Sequence, residues 1–182
     1  LLPFNLHGMP NDGGLSADLF LAGDLRANEQ IGLTAMHTLF VREHNRLAGL
    51  LHLSNPRMSR DRIYQWARAL VAAEMQAITY REFLPLVLGP AALPPYQGYR
   101  ETMDPSISNV FSTAAFRVGH TMLNAQLLRL EADGSSIPEG PLLLADAFFH
   151  PELIQAPGAL EALLRGLAGQ RARAVDPYVT DA

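Results

Sequence analysis

Two long segments in which apolar residues recur every three or four positions constrain the fold of this 182-residue chain more than any other feature. The first runs from Asn28 to about His52, and the second runs from about Asp61 to Phe83. This spacing places apolar side chains along one side of an α-helix, whereas a half-buried strand would alternate strictly. Ser54-Asn55-Pro56 separates the two helices, and Pro85 with Gly89-Pro90 is expected to end the second. The chain is therefore predicted to be mainly α, with little or no β structure.

The remaining segments predict shorter elements joined by loops. Residues 1–19 and 89–105 are rich in residues typical of irregular structure. A third helix is expected from about Ser108 to His120, and Asp133-Gly134-Ser135-Ser136 is a turn that could close a small hairpin after residues 126–130. Two further helical stretches are expected at roughly Leu142–Phe149 and Gly158–Ala168. No repeat, low-complexity tract or internal domain boundary is visible.

Composition excludes several functional classes. The chain has no cysteine, and all 14 of its basic residues are arginine. Disulfide scaffolds, thiolate metal sites, Schiff-base lysines and P-loop lysines are therefore excluded. The net charge of −4 argues against a general nucleic-acid binder. Prolines interrupt the longest uncharged run, Phe83–Tyr99, so no membrane-spanning segment is expected, and the N-terminus does not resemble a signal peptide.

The first charged constellation is the run from Gly23 to Glu29. Arg26 and Glu29 are three positions apart, and they would share one face if the helix had already begun there. On spacing alone, the simplest interpretation is a surface ion pair at a helix start, with Asn28 or Asp24 as the cap.

The second constellation is the run from Phe116 to Thr121. Arg117 and His120 are again three positions apart, and Gly119 leaves space beside the histidine for a flat ligand. The alternative interpretation is a helix C-terminus at which glycine and histidine act as stop signals.

A third candidate consists of His37 and His44, which lie seven positions apart on the first long helix. The pattern is not a His-Glu-x-x-His zinc helix, because Glu43 directly precedes His44. Salt bridges and polar ties between helices are the better interpretation of these residues.

Six ordered segments of the chain closely resemble the animal-type haem peroxidases of the peroxidase–cyclooxygenase superfamily. They are Phe20–Glu29, Leu33–Ala48, Ile63–Arg68, Ile78–Pro85, Asn109–Thr121 and Leu163–Leu167. The resemblance spans almost the whole chain and implies that residues 1–182 are the central helical part of a haem peroxidase domain.

The resemblance also implies roles for four residues. His120 matches the histidine that ligates the haem iron, and Arg117 matches an arginine that pairs with a haem propionate. Arg26 matches the catalytic arginine, which would stabilise negative charge during peroxide cleavage. Glu29 matches a glutamate that forms an ester with a haem methyl in several members. The implied cofactor is haem b, and the implied partners are hydrogen peroxide and an unknown electron donor, with no nucleic acid involved.

Other family features are expected to lie outside this chain. No segment resembles the distal-histidine motif, the calcium loop or the aspartate of the second haem ester, which lie upstream in the family. Gln30 stands where some members carry a methionine linked to haem. The run Asp176–Ala182 comes before any Arg-x-Arg-Asp-His-Gly motif, near which the family has an asparagine that hydrogen-bonds the iron ligand.

The sequence therefore predicts a haem-dependent peroxidase that reduces hydrogen peroxide and oxidises a second donor, as part of a longer parent protein. The 182 residues alone are expected to show little or no turnover. The alternative is a non-catalytic helical binding or adhesion module that retains the peroxidase scaffold. A general helical interaction domain without haem is a third interpretation. By resemblance the parent would be secreted, although the sequence alone does not fix its location.

Overall fold

The computed structural model describes residues 1–175 and shows a mainly α-helical chain. The α-helices are α1 (Ile31–Ser54), α2 (Arg60–Ile78), α3 (Leu84–Leu88), α4 (Asn109–Thr113) and α5 (Ala159–Gly169). The shorter helical turns are a π-helix at Thr79–Phe83 and 3-10 helices at Ala115–Met122, Ala145–Ala147 and Pro151–Ile154. Two short strands, β1 (Gln126–Leu127) and β2 (Leu142–Leu143), pair antiparallel. The predicted fold class is thereby confirmed.

The chain divides into two compact units. The first unit combines residues 1–38 with the chain from Ser106 onward, and the second unit is residues 39–105. Helix α1 begins in the first unit and continues into the second. The first crossing point lies inside α1, so no linker marks it in the sequence, and the second follows the irregular segment 89–105.

The first unit has a hydrophobic core drawn from both of its chain segments. The buried side chains are Leu2, Phe20, Ile31, Ala35, Leu127, Ala147, Ile154, Leu160 and Leu163. Four of these come from residues before the interruption, and five come from residues after it. The two segments therefore depend on each other for burial of apolar surface, which is the main favourable contribution to folding.

In the second unit, α2 follows from a capped start and an apolar stripe. Ser59 caps the helix, because its hydroxyl oxygen accepts the backbone N–H of Arg62 at 3.3 Å. Ile63, Ala67 and Val71 are four residues apart and are its buried positions.

The helical run after α2 extends further than the sequence predicts. Pro85 does not end it, because the proline lies in the first turn of α3, where a missing N–H is tolerated. The π-helix at Thr79–Phe83 joins α2 to α3. The run ends at Gly89, whose φ of 97° favours glycine.

After Gln126, the predicted hairpin is confirmed and the predicted helix is wrong. The predicted hairpin is present, with Gln126 opposite Leu143 and Gly134 at a φ of 85° in the connecting turn. The predicted helix over Leu142–Phe149 is wrong, because Leu142–Leu143 pairs with β1 and leaves only the short turn Ala145–Ala147 helical. Strand pairing therefore prevails over local helix propensity here.

The other predicted helices are present with shifted ends. The helix expected at Ser108–His120 is divided at Ala114 into α4 and the 3-10 helix Ala115–Met122. Residues 176–182, which bear on the expected position of the downstream motif, lie outside the described residues. Within residues 1–175, no helix combines the length and apolarity needed to cross a membrane.

Candidate functional site

Buried neighbours fasten the turn that carries Arg26 and Glu29. Asn28 is 2% exposed, and its side chain exchanges two hydrogen bonds with the backbone of Phe20, at 2.8 Å and 2.7 Å. Ala27 is fully buried, and its carbonyl oxygen accepts the hydroxyl of Thr34 at 2.6 Å. The backbone at Arg26 and Glu29 is therefore held in place by buried hydrogen bonds on adjacent residues.

Asp24, rather than Glu29, is the ion-pair partner of Arg26. Arg26 donates Nε and Nη2 to the two carboxylate oxygens of Asp24, at 3.0 Å and 2.8 Å. The Arg26–Glu29 ion pair that spacing alone suggests is therefore not formed within residues 1–175. Helix α1 begins only at Ile31, so Arg26 and Glu29 do not share a helical face.

The electrostatics of this turn favour both charges. The hydrogen bonds from Arg26, followed by its charge, lower the pKa of the Asp24 carboxyl to about 2. The same hydrogen bond to Asp24 raises the pKa of the Arg26 guanidinium, and the charges of Glu29 and Asp12 act in the same direction. Together with Asp12, Gly23, Asp24 and Leu25, Arg26 lines an open depression on the surface.

Glu29 is half-buried, and a distant segment holds its backbone. Its N–H donates to the carbonyl of Arg26 at 2.8 Å, and its own carbonyl accepts the N–H of Phe149 at 3.1 Å. Its carboxylate has no hydrogen-bond or ion-pair partner among residues 1–175. The carboxylate is therefore available to a ligand.

Arg117 and His120 lie on the 3-10 helix Ala115–Met122. A 3-10 helix has three residues per turn, so residues three apart stand directly above one another. Neither the guanidinium nor the imidazole has a hydrogen-bond or ion-pair partner in the described part of the chain. A Cβ at Gly119 would meet nothing within 4 Å, so the space beside the histidine is open.

These side chains fit a haem by their chemistry. Haem supplies four iron ligands itself, so one protein imidazole suffices, and a guanidinium suits a propionate. Residues 1–175 contain no group of three or more His, Asp or Glu side chains that could hold a bare metal ion. All four candidate residues belong to the first unit, although no hydrogen bond within residues 1–175 joins the Arg26–Glu29 turn to the Arg117–His120 helix.

Of the third candidate pair, His37 and His44, the structure explains His44 as a contact between two helices. The Nε2 of His44 lies 3.2 Å from the carbonyl oxygen of Tyr64, and the two rings are 4.9 Å apart. Within the second unit, this contact ties α1 to α2. Glu43 forms a bidentate ion pair with Arg46, at 2.8 Å and 2.6 Å.

Two residues that contact the candidate site residues are not identifiable as such from the sequence pattern. The sequence suggests Asp24 only as a helix cap, although an aspartate two residues before an arginine can close a local turn and pair with it. The contact of Phe149 with Glu29 has no local signal, because it joins residues far apart in the sequence.

Comparisons with known proteins identify the family of the chain. The family model described as animal haem peroxidase matches residues 1–182. The chain is 50% identical to mouse peroxidasin homolog over 82% of the chain and 10% of that protein. It is 45% identical to mouse myeloperoxidase over 95% of the chain and 25% of that protein.

A solved structure shows the same fold. Peroxidase A from Dictyostelium discoideum matches with a TM-score of 0.87 and 33% identity, over 97% of this chain and 34% of that one. The chain thus spans a tenth to a quarter of the two curated relatives and about a third of the structural match. On the strength of the full-length family match, the chain belongs to the animal haem peroxidase family.

Proposed function

We propose that this chain is part of a haem-dependent peroxidase that reduces hydrogen peroxide and oxidises a second donor. The observation that carries the proposal is the alignment of Arg117 and His120 on one 3-10 helix, with no protein partner in residues 1–175 for either side chain. An exposed guanidinium and an exposed imidazole in this arrangement suit a ligand that carries both an anionic group and a metal centre. Family membership supports haem as that ligand.

His120 and Arg117 would hold the cofactor. When bound, haem supplies an iron centre that accepts electrons from the donor and passes them to peroxide. The imidazole of His120 would ligate the iron, and its basicity would favour peroxide cleavage. The guanidinium of Arg117 would pair with a propionate and fix the orientation of the ring.

Arg26 would act on the peroxide itself. Cleavage of the O–O bond leaves negative charge on the departing oxygen, and a fixed guanidinium stabilises that charge. The buried neighbours Ala27 and Asn28 hold the backbone of Arg26 in advance, so little reorganisation is needed. A group that moves the peroxide proton is also required, and the resemblance assigns this role to neither His37 nor His44.

Glu29 would anchor the ring covalently. Its unpartnered carboxylate is suited to form an ester with a haem methyl, in a two-electron oxidation for which hydrogen peroxide is the oxidant and water the product. Gln30 supplies no sulfur, so no second link of the methionine type is proposed. Calcium binding and secretion, which the resemblance implies for the parent protein, remain predictions.

Haem binding followed by the Soret absorption band tests the proposal. We expect the chain to bind haem with a histidine-ligated spectrum, and His120→Ala to lose it. His52→Ala is the matched control, because His52 is also exposed and lies in the last turn of α1. An unchanged spectrum in His120→Ala would show that another group ligates the iron. Failure of the parent protein to bind haem would favour the non-catalytic binding module.

A further inference from the structure

One carboxylate makes three hydrogen bonds to one arginine in the first unit. Asp24 Oδ1 accepts the backbone N–H of Arg26 at 2.9 Å and its Nε at 3.0 Å. Asp24 Oδ2 accepts Nη2 at 2.8 Å. The backbone and the side chain of Arg26 are thus held by the same acidic group, which is more than a surface ion pair requires.

The arrangement is built on a closed turn. The carbonyl of Asp24 accepts the N–H of Ala27 at 3.2 Å, and the side chains of the buried residues Ala27 and Asn28 point away from solvent. The side chains of Asp24 and Arg26 therefore both extend from the same rigidly held turn. A guanidinium on a flexible exposed stem would otherwise sample many rotamers.

The pairing leaves a defined part of the guanidinium free. Of its five N–H groups, Asp24 takes the one on Nε and one on Nη2. The outer edge, with both N–H groups of Nη1 and the second of Nη2, has no partner in the described residues. Two parallel donors along that edge match two adjacent oxygen atoms.

We propose that Asp24 is a positioning residue, which orients Arg26 so that its outer Nη1–Nη2 edge faces the reacting peroxide. This inference rests on the proposed function and deepens it, because it assigns the orientation of the catalytic arginine to a particular side chain. Asp24 itself touches neither peroxide nor haem in this role.

The second unit provides a matched control. Glu43 holds Arg46 through the same Nε and Nη2 atoms, at 2.8 Å and 2.6 Å. The exposures are also comparable, with 66% for Arg26 and 34% for Asp24 against 58% for Arg46 and 24% for Glu43. Glu43→Gln therefore removes an equivalent ion pair outside the candidate site.

Nuclear magnetic resonance of the chain tests the orientation directly. We expect the Nε–H of Arg26 to exchange with water severalfold faster in Asp24→Asn, while the Nε–H of Arg46 is unchanged. Glu43→Gln is expected to give the reverse result. If Asp24→Asn leaves the exchange of Arg26 unaltered, Asp24 does not orient the side chain and the inference is wrong.

Reaction of the haem-loaded parent protein with peroxide tests the consequence. We expect Asp24→Asn to slow the reaction by about 10- to 100-fold at unchanged haem content and spectrum. Glu43→Gln is expected to leave the rate unchanged. Added guanidinium is expected to restore the rate in Arg26→Ala but not in Asp24→Asn combined with Arg26→Ala, because only Asp24 would hold the free cation.

Two outcomes would contradict the inference. The first leaves the proposed function intact, and the second also contradicts the role proposed for Arg26. If Arg26→Ala is slow but Asp24→Asn reacts as fast as the wild type, positioning by Asp24 is wrong and the proposed function stands. If Arg26→Ala reacts as fast as the wild type, the role proposed for Arg26 is wrong, and its positioning by Asp24 has no catalytic meaning.

Discussion

Phe149 donates its backbone N–H to the carbonyl oxygen of Glu29 at 3.1 Å, from a left-handed conformation with a φ of 58°. Its neighbour Phe148 pairs with Gln30 in an isolated antiparallel bridge. Two adjacent residues of the later segment therefore hold the backbone on both sides of the Glu29–Gln30 peptide. A bulky residue at positive φ is uncommon, and surrounding contacts maintain it here.

We expect Phe149→Val to lower the free energy of unfolding by about 1–2 kcal/mol, because a β-branched residue is poorly tolerated at positive φ. Phe149→Gly is expected to be less destabilising than Phe149→Val, since glycine adopts this conformation freely. Phe148→Val is the matched control, because Phe148 has a φ of −85° and ψ of 128° and accommodates a β-branched residue. Urea unfolding of the three variants measures the difference, and equal effects of the two valine changes would contradict the role of backbone strain.

Asn28→Ala is expected to destabilise the chain by about 2–4 kcal/mol, because it leaves the N–H and the C=O of Phe20 buried without partners. Asn124→Ala serves for comparison. It removes only one hydrogen bond, to the carbonyl of Arg171, from a partly exposed side chain, and should cost about 1 kcal/mol or less. Thermal unfolding monitored by circular dichroism would separate the two variants. Similar costs would mean that the Asn28 amide does not fasten the turn.

Gly166→Ala is expected to cost at least about 2 kcal/mol, because a Cβ there would collide with the backbone carbonyl of Leu128. Gly49 lies inside α1, and a Cβ there would meet nothing within 4 Å. Gly49→Ala should therefore stabilise the chain by about 0.5–1 kcal/mol through its higher helix propensity. Opposite signs in denaturant unfolding are the expected result, and a neutral Gly166→Ala would show that α5 does not approach Leu128 closely.

The pKa of Asp24 predicts an acid-sensitive contribution to stability. Because the fold lowers this pKa from 3.8 to about 2, through the hydrogen bonds and the charge of Arg26, the unfolded chain binds the proton first as pH falls. The stabilising contribution is therefore full above the unfolded pKa and is lost as pH falls toward 2. Asp24→Asn should show a smaller loss of unfolding free energy than the wild type between about pH 4 and pH 2. Parallel pH profiles would contradict the pairing.

Glu29→Gln tests the proposed ester. After treatment with peroxide, the haem-loaded parent protein should keep its haem through acidic organic extraction, whereas Glu29→Gln should release it. Glu131→Gln changes an exposed glutamate of the same unit and should retain the haem. Release from the unaltered protein would show that Glu29 anchors no haem covalently.

Much of the fold could be predicted from the sequence, because it is encoded locally. The apolar periodicity indicated α1, α2 and α5, and the turn residues around Gly134 indicated the hairpin. The helix predicted at Leu142–Phe149 failed because pairing with Gln126–Leu127 is a tertiary contact. Periodicity reports only which face of a segment is apolar, and it does not identify the partner against which that segment packs.

In the candidate site, too, features encoded locally could be predicted and features set by tertiary contacts could not. The spacing of Arg117 and His120 sufficed to predict a shared face, and the 3-10 helix aligns them. The spacing of Arg26 and Glu29 misled, because the chain there forms a turn before α1 begins. The contact between Glu29 and Phe149 depends on how two remote segments pack, which no local pattern describes.

The interrupted course of the first unit has a consequence for how the family can vary. Residues 39–105 leave the first unit after Thr38 and return to it at Ser106. The entropic cost of closing such an excursion grows only logarithmically with its length, by about 0.6 kcal/mol for each doubling. Insertions or deletions within residues 39–105 should therefore change the stability of the first unit little. The lengths of the segments that carry Arg26 and His120 should vary less. Length variation among relatives is accordingly expected to concentrate in this excursion.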